Sequence, residues 1–384
     1  MKLLIYKWNG YGYSELPNIF RACGISYDTI EYYEDTSPAH EDFSSIFVKK
    51  LRDGNFDAVF SFNFFTAVAL YCYKENVPYL SWIYDSPFKG PNIIDHLGYP
   101  TNHVFFFDRL QVQQYKDKGF DNVYHLPLAA NTKRLSQIYP TNQDYDYYGA
   151  DFSFVGTLHD EKFPEVWKEL SPHLQGYLKS LIMTQQKIYG SDIYEELITD
   201  ELARQVNLEY TKGQQSDLYS KDALMLIMNK YTTSQERVLL LASLSHLGTT
   251  KLYSSDTRTQ LQNVIQMGKV TYMDKMPIVF KTSKINLNIT LKSIVSGIPL
   301  RVMDILGSGG FLLSNFQPEL AEFFVPDEEV VLYTSIEEAL DKANFYLSHD
   351  NLRRKIAARA FQKMEREFTF DHQFEKIFRI SGLL

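Results

Sequence analysis

Short apolar runs rich in β-forming residues alternate with helical stretches through the first 130 or so residues, and this rhythm constrains the fold more than any other feature. The first run is Leu3 to Tyr6. A loop with Gly10 and Gly12 follows, and Ser14 stands where it would cap a helix running to about Gly24. Residues 25–33 are again rich in β-formers. A helix over 43–51, a strand over 57–61, a helix over 65–73 and a strand over 79–84 come next. Strand signals at 103–107 and 123–126 flank a last helix at 109–118. Strands separated by helices at this spacing lie parallel in one sheet, because each helix carries the chain back to the starting edge. Residues 1–135 are therefore expected to form a Rossmann-like domain.

A chain of 384 residues exceeds one ordinary core, so a second domain is expected. Residues 136–149 are polar, rich in Tyr and Asp, and without hydrophobic period, which reads as a linker. Asp151-Phe-Ser-Phe-Val-Gly156 then resembles the first strand and glycine turn of another Rossmann-like domain, placed at 150–365. From about 164 to 247 the sequence is helical and too long for one crossover, so it reads as a helical insertion. The alternation resumes with strand signals at 251–253, 268–272, 285–289, 311–314 and 329–333. Ser335 with Glu338 has the spacing of a capping box, and a later helix carries Leu352, Ile356, Phe361 and Met364 on one face. Residues 366–384 read as a C-terminal helix able to pack back on the N-terminal domain. The expected class is α/β: two doubly wound parallel-sheet domains facing a cleft, with a helical insertion in the second.

Net charge of −8 argues against nonspecific binding to nucleic acid or to anionic membranes, which needs basic patches. A small phosphate ligand needs only one local positive site. The aromatic share of 15% includes 27 Tyr. Such rings suit sugar or base clefts, although AT-rich coding bias gives the same composition. Cys23 and Cys72 form no motif and read as buried free thiols of a reducing compartment. The N-terminal apolar run is too short for a signal peptide, and no apolar stretch approaches about 20 residues, so no membrane span and a cytoplasmic location are expected.

The stretch Ser296-Gly-Ile-Pro-Leu-Arg-Val-Met-Asp304, continuing through Gly309-Gly310 to Asn315, is the most informative. Gly297 and Pro299 shape a helix entrance, where exposed N–H groups and the positive end of the helix dipole suit a phosphate. Arg301 adds a charge-assisted fork for it. Asp304 lies one turn on, where its carboxylate can accept both hydroxyls of a ribose. The plainer reading of Arg301 and Asp304 is an intrahelical ion pair. Asp85 follows a strand and so belongs at the carboxyl end of the sheet. It is either a general base or orienter for an acceptor hydroxyl, or a turn residue bonding nearby backbone N–H groups. Gly10 and Gly12 either let a ligand approach the backbone or make an ordinary tight turn. His103, His125 and His159 lie near strand ends, His159 in the glycine turn of the second domain. Asp144-Tyr-Asp146 spells Asp-x-Asp but lies in a polar stretch, so no metal site is expected.

The 296–315 stretch resembles the donor-binding segment of GT-B glycosyltransferases, and is most similar to the CgeB-like, spore-maturation group. The resemblance puts Asp304 at the ribose-binding glutamate and Gly309 at the family glycine. Ser296 stands where retaining enzymes carry a glutamate on the donor sugar. Phe154-Val-Gly156-Thr157-Leu-His159, continuing to Lys162, resembles the opening of the donor domain; Lys162 matches a diphosphate-binding lysine and Thr157 replaces an arginine. The segments 79–87 and 126–131 resemble parts of N-terminal domains associated with this group. The resemblance implies transfer of a hexose or N-acetylhexosamine from a nucleotide diphosphate sugar, UDP-sugar first, to a hydroxyl of a glycan, glycoprotein or small molecule. It implies no cofactor beyond the donor, and the helical insertion becomes a place for acceptor or protein-partner recognition. Two alternatives stay open: a nucleotide-sugar epimerase or hydrolase on the same fold, and a non-catalytic nucleotide-sugar-binding partner protein.

Overall fold

The computed structural model describes residues 1–8, 10, 12–31, 41–88, 93–159, 162–256 and 259–384. It divides into two compact units, Met1–Asn131 with Arg366–Leu384, and Thr132–Glu365. The first unit runs β1 (Lys2–Lys7), α1 (Leu16–Ala22), β2 (Ser26–Glu31), α2 (Glu41–Gly54), β3 (Ala58–Phe62) and α3 (Thr66–Lys74). It continues with β4 (Tyr79–Ile83), α4 (Ile93–Leu97), β5 (Asn102–Phe106), α5 (Arg109–Asp117) and β6 (Val123–His125). The strands pair in the order β2-β1-β3-β4-β5-β6, every pair parallel. The end of the β-rich run at 32–33 lies outside the described residues. Every residue of β3 and β4 is buried, as parallel strands covered on both faces require.

Two local expectations for this unit differ from the structure. Helix α1 starts at Leu16 with Glu15 at its N-cap and no side-chain cap bond, so Ser14 does not cap it. Cys72 is buried, but Cys23 is exposed, because it falls past the buried face of α1 at the helix end.

The second unit opens with α6 (Thr132–Ser136) and α7 (Asn142–Tyr148), then β7 (Phe152–Val155). The helices α8 (Phe163–Glu169), α9 (Pro172–Gln186), α10 (Tyr194–Leu197), α11 (Asp200–Tyr210) and α12 (Lys221–Leu244) follow. Next come β8 (Thr250–Tyr253), β9 (Val264–Gln266), α13 (Lys275–Thr282), β10 (Ile285–Asn288), α14 (Leu300–Gly307) and β11 (Leu312–Asn315). The unit closes with α15 (Pro318–Phe323), β12 (Val331–Tyr333), α16 (Ile336–Ser348) and most of α17 (Asp350–Glu367). Its sheet has the order β12-β11-β10-β7-β8-β9, again parallel throughout. Helices α8 to α12 bury a core of their own around Leu178, Tyr194, Val206 and Met228.

The stretch read as a linker is structured and belongs to this unit. Thr141 and Asp144 make a reciprocal capping box on α7, and Lys251 and Tyr253 donate to the carbonyls of Tyr147 and Tyr148 at 2.6 and 3.1 Å. The capping box is local, but the last two bonds need partners more than a hundred residues away, which periodicity does not reveal. The strand expected at 268–272 lies instead at Val264–Gln266; Gly268 has φ +73°, a left-handed conformation that ends extended pairing. At α16 Ser335 accepts from the Glu338 N–H at 3.1 Å, but the Glu338 carboxylate bonds Thr334 at 2.7 and 2.8 Å, so only half of the box forms.

The chain then enters α18 (Phe370–Ile380), which packs on the first unit. The ring of Phe374 lies 5.0 Å from Phe20, 5.2 Å from Phe60 and 6.0 Å from Trp82. Removing it opens a cavity under a buried sheet face. Phe374→Ala should lower stability by about 3–5 kcal/mol, read from urea denaturation followed by tryptophan fluorescence.

Candidate functional site

In the second sheet the chain winds outward from β7 through β8 to β9, then crosses back and winds outward the other way from β10. The loops leaving β7 and β10 diverge at this reversal, the place where open α/β sheets take ligands. The corresponding reversal of the first sheet lies between β1 and β3.

Arg301 reaches the second reversal from the first turn of α14. Its Nε donates to the Val155 carbonyl at 2.9 Å, and Nη1 donates to Asp304 Oδ2 at 3.0 Å and to the Met276 sulfur. Nη2 has no partner among the described residues, and the side chain keeps 27% exposure, so one edge of the fork stays available. Asp304 is buried, and its Oδ1 accepts from the Tyr272 hydroxyl at 2.8 Å. The intrahelical ion pair is thus present, anchored to a strand end and a tyrosine rather than lying loose on the surface. Pro299 is the N-cap of α14 and Gly297 is buried beside it. Ser296 is buried and donates to Glu319 Oε1 at 2.8 Å, while the Glu319 N–H returns a bond to the Ser296 carbonyl at 3.1 Å. This brings a buried carboxylate of α15 against the position that carries serine.

After β7 the Gly156 N–H donates to the Tyr253 carbonyl at 3.0 Å, and a Cβ on Gly156 would press the Phe154 ring at 3.1 Å. Thr157 is exposed, with its hydroxyl 2.9 Å from a ring nitrogen of His159, itself at φ +59°. The Leu158 N–H bonds the Asp256 carboxylate. Lys162 is exposed at the start of α8. Residues 160–161 of this loop lie outside the described residues.

Three charged residues at this reversal were not anticipated from sequence. Arg237 on α12 is buried; its Nη1 donates to the Thr157 carbonyl at 2.7 Å, and Nε and Nη2 donate to the Ile289 carbonyl at 3.1 and 2.6 Å. Burial pulls its pKa down to about 10; Glu236 opposes that fall and the nearby Arg301 charge adds to it. Glu236 pairs with Lys292 at 3.1 Å, both nearly inaccessible, and accepts from the Tyr189 hydroxyl at 2.8 Å. Lys292 sits 3.7 Å over the Tyr189 ring, and burial pulls its ammonium below the ordinary lysine range against the pull of Glu236. For Glu236 and Arg237 the signal was available only as polar residues in an apolar-patterned helix, which helix periodicity alone treats as ordinary surface positions, and Lys292 lies in the loop after β10, where periodicity says nothing.

In the first unit Asp85 lies two residues past β4, exposed, and accepts from Asn63 Nδ2 at 2.7 Å. Asn63, just past β3 at φ +60°, also accepts the Tyr84 N–H at 2.8 Å. Asp85 therefore stands at the carboxyl end of the sheet, held by a side chain of the neighbouring strand end. Gly10 and Gly12 are filled around by rings: a Cβ would come within 2.6 Å of Trp8 and 2.8 Å of Phe62. Gly12 also has φ +94°, a left-handed conformation that favours glycine. His103 is partly buried, which lowers its pKa. Asp144 is occupied by the capping box of α7, with Lys275 4.0 Å away.

Residues 237–379 match the model of a family described as glycosyl transferase-like. No curated protein sequence matches the chain. Among solved structures, Anabaena HepE in complex with UDP and glucose covers 100% of both chains at TM-score 0.54 and 10% identity. Sucrose-phosphate synthase from Thermosynechococcus elongatus covers 100% of this chain and 98% of its own at 0.56 and 9%. A glycosyltransferase from Rickettsia africae does the same at 0.54 and 9%. At these identities the likeness is one of fold, and the fold is GT-B. Among the described residues no helix is long and apolar enough to cross a membrane.

The Glu236–Lys292 pair gives a test of the site's electrostatics. Lys292→Met strands a buried carboxylate and should cost about 3–5 kcal/mol, whereas Lys292→Met combined with Glu236→Gln should recover most of that loss. Urea denaturation of the two single variants and the double variant measures the coupling.

Proposed function

We propose that this chain is a glycosyltransferase that moves a hexose or N-acetylhexosamine from a UDP-sugar to a hydroxyl of a glycan, glycoprotein or small molecule, without a metal and in the cytoplasm. The observation that carries this reading is that the segment matching the glycosyl transferase-like family holds Arg237, Lys292, Arg301 and Asp304, the charged residues gathered at one reversal of the sheet. Solved relatives by fold include HepE bound to UDP, and to UDP-glucose.

In this reading the donor lies over the loops after β7 and β10. The free Nη2 of Arg301 and the Lys162 ammonium meet the diphosphate, helped by the start of α14 after Pro299 and Gly297. Charge-assisted bonds to the leaving diphosphate strengthen as the glycosidic bond breaks, which is what lowers the barrier. Asp304, oriented by Tyr272, accepts the ribose hydroxyls. Gly156, Thr157 and His159 line the phosphate side, and Ser296 with Glu319 the sugar side. Asp85, oriented by Asn63, takes the proton of the acceptor hydroxyl.

Two outcomes test the assignment. Arg301→Ala should weaken UDP binding about tenfold, the loss of one charged hydrogen bond, measured by calorimetric titration with UDP and GDP in magnesium and in EDTA. Affinity equal to the parent would remove Arg301 from the donor site, and dependence on magnesium would remove metal independence. Asp85→Asn should leave UDP affinity unchanged and lower the transfer rate by about 10²–10⁴-fold, read as sugar released to an acceptor panel against free hydrolysis. Donor consumed equally without acceptor would favour a hydrolase.

A further inference from the structure

The donor reading gives no donor contact to α12, yet one face of this helix is unlike ordinary helix packing. Thr233, Glu236 and Arg237 stand at i, i+3 and i+4, so they share a face. The Thr233 hydroxyl accepts the Lys292 N–H at 2.9 Å. Glu236 holds the Lys292 ammonium at 3.1 Å. Arg237 holds the Ile289 and Thr157 carbonyls at 2.6 to 3.1 Å. Every one of these bonds ends on a loop leaving β7 or β10, and Arg237 alone of the three touches both loops.

A packing role does not account for this strip. A buried guanidinium loses its hydration, and apolar side chains of similar volume at such sites are often as stabilising or more so. The Phe154 ring, 5.2 Å from the Arg237 guanidinium, already provides an apolar wall. Directional bonds differ from apolar contacts in fixing where a loop sits, since a carbonyl held by a planar fork cannot slide. Backbone groups just past a strand end have left the ladder and need partners from elsewhere.

We infer that Arg237 is a positioning residue, which ties the loop after β7 to the loop after β10 from α12 and thereby holds the donor-binding crevice in register. The inference rests on the proposed donor site for its functional half and on the loop geometry alone for its structural half. The helices α8 to α12 then act as a brace for the crevice, with α12 spanning from their own core to the sheet.

The test compares the whole chain with Arg237→Met, Arg237→Lys and, as a control in the core of α8 to α12, Leu178→Ala. Amide hydrogen exchange is followed with and without UDP, alongside UDP titration and thermal melting. In Arg237→Met the amides of 156–159 and 289–292 should exchange about tenfold faster than in the parent while β7 and β10 keep theirs, and the UDP dissociation constant should rise about tenfold or more. Arg237→Lys retains one tether at best and should fall between, and it serves if the Met variant does not fold. Leu178→Ala should lower the melting temperature yet change neither loop exchange nor UDP affinity. Unchanged loop exchange overturns the tether. Exchange raised evenly throughout the unit makes Arg237 a stability residue and overturns its positioning role, as does loosened loops with unchanged UDP affinity. A parent chain that binds no nucleotide refutes the donor reading, and the exchange comparison still judges the tether.

Discussion

A parallel sheet that reverses its winding sends two neighbouring strands into loops that part company, and the rest of the second unit is organised by that reversal between β7 and β10. The ladder ends there, so backbone groups that would pair within the sheet must find side chains. This is why buried polar residues crowd the carboxyl edge. Asn315 takes the Thr290 N–H at 2.7 Å, Asn288 donates to Ser314 at 2.8 Å, and Arg237 and Lys292 occupy the gap itself. Positive side chains therefore stand where the fold already has to supply hydrogen-bond donors.

The first unit solves the same problem with rings. At its reversal between β1 and β3, Trp8 Nε1 donates to the Phe62 carbonyl at 2.7 Å. The Tyr13 hydroxyl donates to the Tyr6 carbonyl at 2.8 Å and accepts the Phe62 N–H at 3.1 Å. Burial pushes the Tyr13 phenol well above its ordinary range, so it stays a neutral donor. One unit therefore joins its diverging loops with aromatic side chains and the other with charged ones.

Arg301 and Asp304 show how one ion pair is built into the fold. The pair is anchored to the Val155 carbonyl and the Tyr272 hydroxyl, and one edge of the guanidinium stays open. Ser296 and Glu319 offer a second case. A buried carboxylate from α15 accepts from the serine, so an acid lies against position 296 although that position itself carries none.

The sequence by itself determined the elements with strong local signals: the buried runs that became β1, β3, β4, β7 and β10, the helical block from α8 to α12, and the turn into α14 with Arg301 and Asp304 on one face. These rest on periodicity and on glycine and proline chemistry, which act within a few residues. The tertiary structure decided the rest, because its causes lie far apart in the chain. Within the polar stretch at 136–149, α7 is capped locally by Thr141 and Asp144, but its last carbonyls are bound by Lys251 and Tyr253, more than a hundred residues away. The rings of Trp8 and Phe62 leave no room for a Cβ at Gly10 and Gly12, and Glu319 met Ser296 across 23 positions. Arg237 looked like one more charge on a helix until strand order placed the ends of β7 and β10 beside it. A side chain's chemistry is written locally, but which backbone group it reaches is fixed by the order of strands in the sheet.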